Sequence, residues 1–97
     1  MSLIHYENDF DSLIKTKAVV DFYATWCGPC RMFGPIFEEV ASNSDINFVK
    51  VDVDKHDDIA RRYGVMTIPT IILFENGEEV KKHVGFMNKD ELRDFIK

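Results

Sequence analysis

The two cysteines of this 97-residue chain, Cys27 and Cys30, are separated only by Gly28 and Pro29. At this spacing the two sulfurs fall within one turn of each other, so the pair is typical of a redox-active dithiol or of a metal site. A helical pattern begins at the pair, and the N-terminus of a helix stabilises a negative charge. Because the thiolate is the nucleophile in disulfide exchange, we predict that Cys27 attacks a substrate disulfide. Cys30, one turn inside the helix and more buried, then attacks Cys27 and releases the reduced substrate.

Two other interpretations of the cysteine pair remain open. A metal site wants four ligands, and His5, His56 and His83 are dispersed without the spacing of a His-x3-5-His pair. A zinc or iron–sulfur site would therefore require a dimer. The pair can also be two inert buried thiols. A redox dithiol needs no bound cofactor, because the sulfurs themselves carry the electrons.

The elements that must position the pair follow from the hydrophobic pattern. Residues 18–24 are apolar at nearly every position, which is typical of a central strand covered on both faces. Pro29 suits the first turn of the helix that follows, since a missing N–H costs nothing there. Further along, we predict strands over residues 46–53, 70–75 and 78–84, with the hairpin signal Asn76-Gly77 between the last two. Short helices are predicted before residue 18, over residues 57–63 and from Asn88 onwards.

The order β-α-β-α-β-α-β-β-α predicts an α/β fold. Strand–helix alternation implies parallel pairing, and the hairpin adds antiparallel strands at one side. We therefore expect a central mixed sheet of about five strands flanked by about four helices. By its length, residues 1–97 form a single domain.

Composition excludes several classes of function. The net charge is −5 and no basic stripe is present, so we expect no nucleic acid partner. No apolar run approaches the ~18 residues of a membrane span, so no membrane association is expected. The first residues, Met1-Ser2-Leu3, lack the build of a signal peptide. We therefore expect a cytoplasmic protein, in a compartment where a persistent structural disulfide is uncommon.

The motifs around and beyond the cysteines resemble those of the thioredoxin family. The resemblance rests first on residues 20–32, which contain Trp26-Cys27-Gly28-Pro29-Cys30. It continues in the same order and spacing through Lys50-Val51-Asp52-Val53-Asp54, Tyr63-Gly64-Val65, Ile68-Pro69-Thr70, Phe74-Glu75-Asn76-Gly77 and Val84-Gly85. It implies a thioredoxin fold and reduction of disulfide-containing proteins. It also implies re-reduction by a thioredoxin reductase, and we expect a monomer.

Two charged residues in the predicted strands gain roles from this resemblance. Asp21 interrupts an apolar strand, and a buried carboxyl group should have a raised pKa. The resemblance implies that it accepts the proton of Cys30 in the second step; the alternative is a strand residue turned to solvent. Lys50 should lie near Asp21 and moderate its charge, and the alternative is an ordinary exposed lysine.

The resemblance also implies a docking surface for protein substrates. It implies that Pro69 follows a cis peptide bond beside the dithiol and that the backbone of Ile68 bonds a substrate peptide. Trp26 stands in a loop, which favours contact with a partner over core packing. The expected apolar surface around Cys27 consists of Trp26, Gly28, Pro29, Ile68, Pro69, Gly85 and Phe86. The chain departs from many family members in Tyr23, in Phe33-Gly34 and in Met66-Thr67.

Two rival functions stay open at this point. The same apolar surface can serve a binding module in which the dithiol is incidental. Alternatively the chain can work in the opposite direction, as an oxidase or isomerase in an oxidising compartment. Gly28-Pro29 between the cysteines and the missing export signal both favour the reductase.

Overall fold

The computed structural model describes residues 3–97 and contains nine helices and strands over that range. Their order is the predicted one. The elements are β1 (Leu3–His5), α1 (Phe10–Leu13), β2 (Ala18–Tyr23), α2 (Gly28–Ala41), β3 (Asn47–Asp52), α3 (Asp57–Arg62), β4 (Thr70–Glu75), β5 (Glu78–Val84) and α4 (Lys89–Phe95). Met1 and Ser2, which belong to the segment expected not to be a signal peptide, lie outside the described residues. Over residues 3–97, no helix is both long and apolar enough to cross a membrane.

The five strands form one mixed sheet in the order β1-β3-β2-β4-β5. The central strand β2 runs parallel to β3 and antiparallel to β4, and β5 returns antiparallel beside β4. The prediction of a mixed five-stranded sheet with four helices is confirmed. Because β2 is paired on both edges and covered on both faces, it is apolar at almost every position.

Alternate residues of β2 point to opposite faces of the sheet. Val20 and Phe22 pack with residues of α1 and α3 on one face. Val19 packs with Phe33 and Phe37 of α2 on the other face. Asp21 therefore points to the face that α2 covers, which is the face on which the helix carrying the cysteines lies.

Local signals in the sequence end the strands and start the last helix as expected. Asn76 and Gly77 both have positive φ angles, 54° and 83°, which the two-residue hairpin turn requires. Asn88 caps α4 by accepting the N–H of Glu91 at 2.8 Å, and the Glu91 carboxylate accepts the Asn88 N–H at 2.9 Å. This reciprocal capping box satisfies two backbone donors that the first helical turn leaves free.

Candidate active site

Cys27 and Cys30 lie at the N-terminus of α2 and form a disulfide. Cys27 is the N-cap residue, with extended backbone angles, and its Cα atom lies 5.2 Å from that of Cys30. The N–H of Cys30 donates to Cys27 Sγ at 3.2 Å. The first-turn N–H groups have no partners within the helix, so they favour a negative charge on this sulfur. The geometry therefore suits Cys27 as the thiolate when the disulfide is reduced.

The difference in burial expected between the two cysteines is small. Cys27 is 6% exposed and Cys30 is 4% exposed. What distinguishes them is their position on the helix, because only Cys27 stands at the cap and accepts a backbone N–H. The electrostatics of the helix end, and not burial, separate the two sulfurs in this oxidised state.

Gly28 and Pro29 form the first turn of α2 between the two sulfurs. The backbone of Gly28 does not adopt a positive φ, and a Cβ atom at that position would meet nothing within 4 Å. The turn itself therefore does not require glycine. The missing side chain instead leaves open surface beside Cys27, and the exposed ring of Pro29 continues that surface.

The peptide bond between Ile68 and Pro69 is cis and lies opposite Cys27. Cys27 Sγ is 3.9 Å from the carbonyl oxygen of Ile68. Gly85 is held next to this cis-proline segment, because its N–H donates to the carbonyl oxygen of Pro69 at 2.8 Å. Gly85 has a φ of 105°, which a residue with a side chain rarely adopts, so the backbone at this point requires glycine.

Two exposed aromatic residues lie next to site residues in the chain. Trp26 is 67% exposed, and its indole N–H donates to the carboxylate of Asp54 at 2.8 Å. Phe86 follows Gly85, is partly exposed, and packs edge to face on Phe33 of α2 with ring centroids 6.3 Å apart. The interpretation of Trp26 as a core residue is therefore excluded, and both rings present apolar surface to solvent.

Asp21 is fully buried on the α2 side of the sheet. Neither of its carboxylate oxygens has a hydrogen-bond partner within residues 3–97. Burial raises the pKa of Asp21 to about 7, and the positive charge of Lys50 lowers it in part. A carboxyl group with this pKa exchanges its proton near neutral pH, which is what a general base at that pH requires.

Lys50 lies beside Asp21 in the sheet, since the two residues are register partners in β2 and β3. Its side chain is only 11% exposed, so the interpretation as an ordinary exposed lysine is wrong. Its ammonium nitrogen lies 3.7 Å from Glu38 Oε2 and 4.6 Å from the centroid of the Tyr23 ring. Lys50 thus carries its charge between a buried carboxyl group and a half-exposed one.

A cavity of about 450 Å³ connects Cys30 with Lys50 along the side of α2. It is lined by Tyr23, Ala24, Thr25, Cys30, Arg31, Gly34, Pro35, Glu38 and Lys50. A second cavity of about 320 Å³ lies beyond Tyr23 and Lys50, which line both spaces. Over the described range 3–97, no group of three or more His, Cys, Asp and Glu side chains is placed to hold a metal ion.

Comparisons with known proteins place this site in a family. A family model described as Thioredoxin matches residues 2–97 of the chain. The chain belongs to the thioredoxin family. It is 48% identical to the thioredoxin of Mycoplasmoides gallisepticum over 100 residues, which cover 100% of both proteins. It is 46% identical to that of Staphylococcus epidermidis, over 93% of this chain and 89% of the relative.

Solved structures of thioredoxins superpose closely on this fold. A mutant thioredoxin from Halobacterium salinarum aligns with a TM-score of 0.91 at 37% identity, over 97% of this chain and 87% of that one. The reduced thioredoxin pre-protein of Schistosoma mansoni aligns with a TM-score of 0.89 at 42% identity, over 99% of this chain and 96% of that one. With its cysteine pair in the disulfide position of this family, the chain is a thiol–disulfide oxidoreductase.

Two acidic residues at the site of this thioredoxin-family chain are not among the predicted site residues. Asp54 accepts the hydrogen bond of the Trp26 indole N–H, and Glu38 forms an ion pair with Lys50. A signal for Glu38 was present, because Cys30, Gly34 and Glu38 follow one another at intervals of four and so share one ridge of α2. Asp54 had no such signal, since its bond to Trp26 joins residues 28 positions apart.

Gly34 offers a test of how the helix meets Lys50 in this thioredoxin-family fold. A Cβ atom added at Gly34 would meet Lys50 Nζ at 3.6 Å, an ordinary van der Waals contact. We expect Gly34→Ala to raise the free energy of unfolding by roughly 0.5–1 kcal/mol, because glycine weakens a helix interior by that amount. Urea denaturation measures the change.

The matched control for this substitution is Gly85→Ala, at a φ of 105°. The strained backbone there should lower the free energy of unfolding by about 1–3 kcal/mol. A loss of stability in Gly34→Ala comparable with that of Gly85→Ala would mean that the space beside Lys50 does not accept a methyl group.

Proposed function

We propose that this chain reduces disulfide bonds of cytoplasmic proteins and is itself re-reduced by a thioredoxin reductase. The observation that carries the proposal is the position of Cys27 Sγ, which caps α2 and accepts the N–H of Cys30. A sulfur in this position is stabilised as a thiolate, which is the form that attacks a disulfide. We further propose that residues 1–97 act as one domain and as a monomer.

In the first step the Cys27 thiolate attacks one sulfur of the substrate disulfide. The substrate S–S bond breaks, a mixed disulfide forms on Cys27, and the departing sulfur leaves as a thiolate that takes a proton from water. In the second step the Cys30 thiol gives its proton to the Asp21 carboxylate, and the resulting thiolate attacks Cys27 Sγ. The Cys27–Cys30 disulfide forms, the second substrate sulfur leaves as a thiolate, and two electrons have passed to the substrate.

The role of Asp21 is supported by its burial, its unpartnered oxygens and its pKa of about 7. A base with this pKa is poised to take a proton at neutral pH. Lys50 is proposed to moderate the charge of Asp21, since its positive charge opposes the effect of burial on that pKa. The cavity that Cys30 and Lys50 both line offers room for water beside the thiol.

The substrate polypeptide is proposed to dock on the apolar surface around Cys27. This docking surface consists of Trp26, Gly28, Pro29, Ile68, Pro69, Gly85 and Phe86. The 3.9 Å approach of Cys27 Sγ to the Ile68 carbonyl supports it, because a substrate sulfur at Cys27 brings its own backbone beside that of Ile68. Gly85 has no side chain to obstruct a partner backbone, and Trp26 and Phe86 supply exposed apolar area.

The reduction potential of the Cys27–Cys30 pair tests the direction of electron flow. Trp26 is the only tryptophan and precedes Cys27, so its fluorescence in a graded dithiol buffer reports the redox state. We expect a potential within or below the cytosolic range, roughly −220 to −320 mV. The variant with both cysteines changed to serine is the control and should give no transition.

Two other results of this titration would contradict the proposal, and each favours a different function. A potential of about −120 to −180 mV would assign the chain to oxidation or isomerisation of disulfides. If no reversible transition appeared in the protein with both cysteines, a binding module would become the better description. Coupled turnover with NADPH, a thioredoxin reductase and a disulfide-containing protein tests the proposed electron donor.

A further inference from the structure

The ammonium group of Lys50 has two carboxyl groups within reach, and it contacts the outer one. Asp21 is its register partner across β2 and β3, yet the Asp21 oxygens have no hydrogen-bond partner among residues 3–97. Glu38 reaches in from α2 and brings Oε2 to 3.7 Å from Lys50 Nζ. Fully buried aspartates are usually paired, so it is unusual that Lys50 contacts Glu38 and leaves the neighbouring Asp21 without a hydrogen-bond partner among residues 3–97.

Two neighbours make the outer position of Lys50 possible. The ring of Tyr23 lies under the ammonium group, with its centroid 4.6 Å from Nζ, and the face of an aromatic ring attracts a cation. Gly34 of α2 faces the same ammonium group, since a Cβ atom there would lie 3.6 Å from Nζ, at ordinary contact distance. The ammonium group is thus surrounded by Glu38, Gly34 and Tyr23, which line the same cavity as Cys30.

We propose that Glu38 is a positioning residue for the second step of disulfide exchange. It holds the ammonium group of Lys50 over Tyr23 and prevents it from pairing with Asp21, so that the Asp21 carboxylate stays free to accept the Cys30 proton. This inference rests on the role of Asp21 in the proposed function.

The charges involved explain why the position of Lys50 matters. A direct ion pair would stabilise the Asp21 carboxylate and make it a weaker base at neutral pH. Glu38 is 51% exposed, so it carries a negative charge at a small desolvation cost. The lysine side chain is long and flexible, so a change at Glu38 redistributes its ammonium group between the two carboxyl groups.

The other titratable groups around this pair come from identified elements. On the α2 side, Cys30, Arg31 and Glu38 line the cavity that Lys50 shares. The β4 partner of Asp21 is Ile71, which carries no charge. The groups that share the second cavity with Lys50 and Tyr23 are His5, Tyr6, Glu7, Asp52, Lys55 and His56. Of all these groups, Lys50 is the one whose charge shifts the pKa of Asp21, and it lowers that pKa.

The test is the titration of the Asp21 side chain in the oxidised protein, followed by carboxyl ¹³C NMR. In Glu38→Gln the ammonium group loses its outer partner and pairs with Asp21. We expect the Asp21 midpoint to fall by about one pH unit, the lower end of the effect of a neighbouring opposite charge. The pH profile of protein-disulfide reduction should move to lower pH by the same amount. Glu38→Ala serves as a second variant without the polar amide.

Glu39→Gln is the matched control. Glu39 neighbours Glu38 on α2, is 53% exposed, and pairs with Lys89 of α4, so its neutralisation changes the net charge equally. We expect neither the Asp21 midpoint nor the pH profile to move in Glu39→Gln. In a Lys50→Met background Glu38→Gln should also leave the midpoint unmoved, because Glu38 acts through Lys50.

Each result separates this inference from the proposed function. An Asp21 midpoint that is the same in Glu38→Gln and in the unchanged protein overturns the positioning role and leaves the role of Asp21 intact. The positioning role is also overturned if the Asp21 midpoint shifts equally in Glu39→Gln, or if Glu38→Gln shifts it as much in the Lys50→Met background. In either case Glu38 would act only through its negative charge and not through the position of Lys50. If Asp21→Asn leaves the pH profile of turnover unchanged, the proposed role of Asp21 fails, and the inference about the reaction fails with it.

Discussion

Replacing Cys30 by serine should trap the chain on its substrates as a mixed disulfide through Cys27. The thiolate at the N-cap of α2 still forms and still attacks, because the backbone N–H of residue 30 remains in place to stabilise it. The second step then has no thiol to release the substrate, so turnover falls to the uncatalysed rate while the adduct accumulates. Non-reducing electrophoresis and intact-protein mass spectrometry with a disulfide-containing protein measure both effects.

Cys27→Ser is the matched variant, since it removes one thiol from the same turn. It should lose turnover equally and form no adduct, because the remaining sulfur lies one turn inside the helix and not at its cap. Addition of a dithiol should release the substrate from the Cys30→Ser adduct. The assignment of the two roles would be reversed if adducts formed on Cys30 in the Cys27→Ser protein and none formed on Cys27 in the Cys30→Ser protein.

Asp21→Asn should stabilise the folded protein at alkaline pH and slow disulfide reduction at neutral pH. The pKa of Asp21 is about 7 in the folded chain because of burial, against about 3.9 for an unperturbed aspartate. Between these two values the folded state holds a proton that the unfolded state has lost, so stability falls as pH rises through this window. The full cost of ionising the buried group is roughly 4 kcal/mol above pH 7.

Urea denaturation of the oxidised protein at a series of pH values measures this cost. The difference in unfolding free energy between Asp21→Asn and the unchanged chain should be smallest near pH 4 and level off above about pH 8. Asp45→Asn, at an exposed aspartate of a loop, is the control and should change little across the same range. If the Asp21→Asn curve ran parallel to that of the unchanged chain, burial of a titrating carboxyl group would be refuted.

The activity of Asp21→Asn separates stability from catalysis. An asparagine has no proton-accepting oxygen with a pKa near neutrality, so the Cys30 step should slow most at about pH 7 and recover at high pH, where the thiol ionises unaided. If Asp21→Asn stabilised the protein and left the rate unchanged at all pH values, Asp21 would affect only the free energy of unfolding and would have no part in the reaction.

Local residue patterns determined much of this fold. The cysteine pair with Pro29 marks the start of a helix, Asn76-Gly77 sets both positive φ angles of a hairpin, and Asn88 with Glu91 builds a capping box. Each of these features depends on residues within one turn of each other, so the sequence is sufficient to predict them. The uninterrupted apolar run before Cys27 likewise predicts a strand that is covered on both faces.

Long-range packing decided the chemistry around the two sulfurs. The sequence alone left Asp21 open to either face and Lys50 open to solvent, because a strand pattern with one polar residue does not say which partner strands flank it. The pairing of β3 with β2 in this register makes Lys50 the neighbour of Asp21. Because α2 covers the same face, it shields Asp21 from water and brings Glu38 into contact with Lys50. The burial that raises the pKa of Asp21 is a property of that assembly, since desolvation comes from atoms distant in the chain.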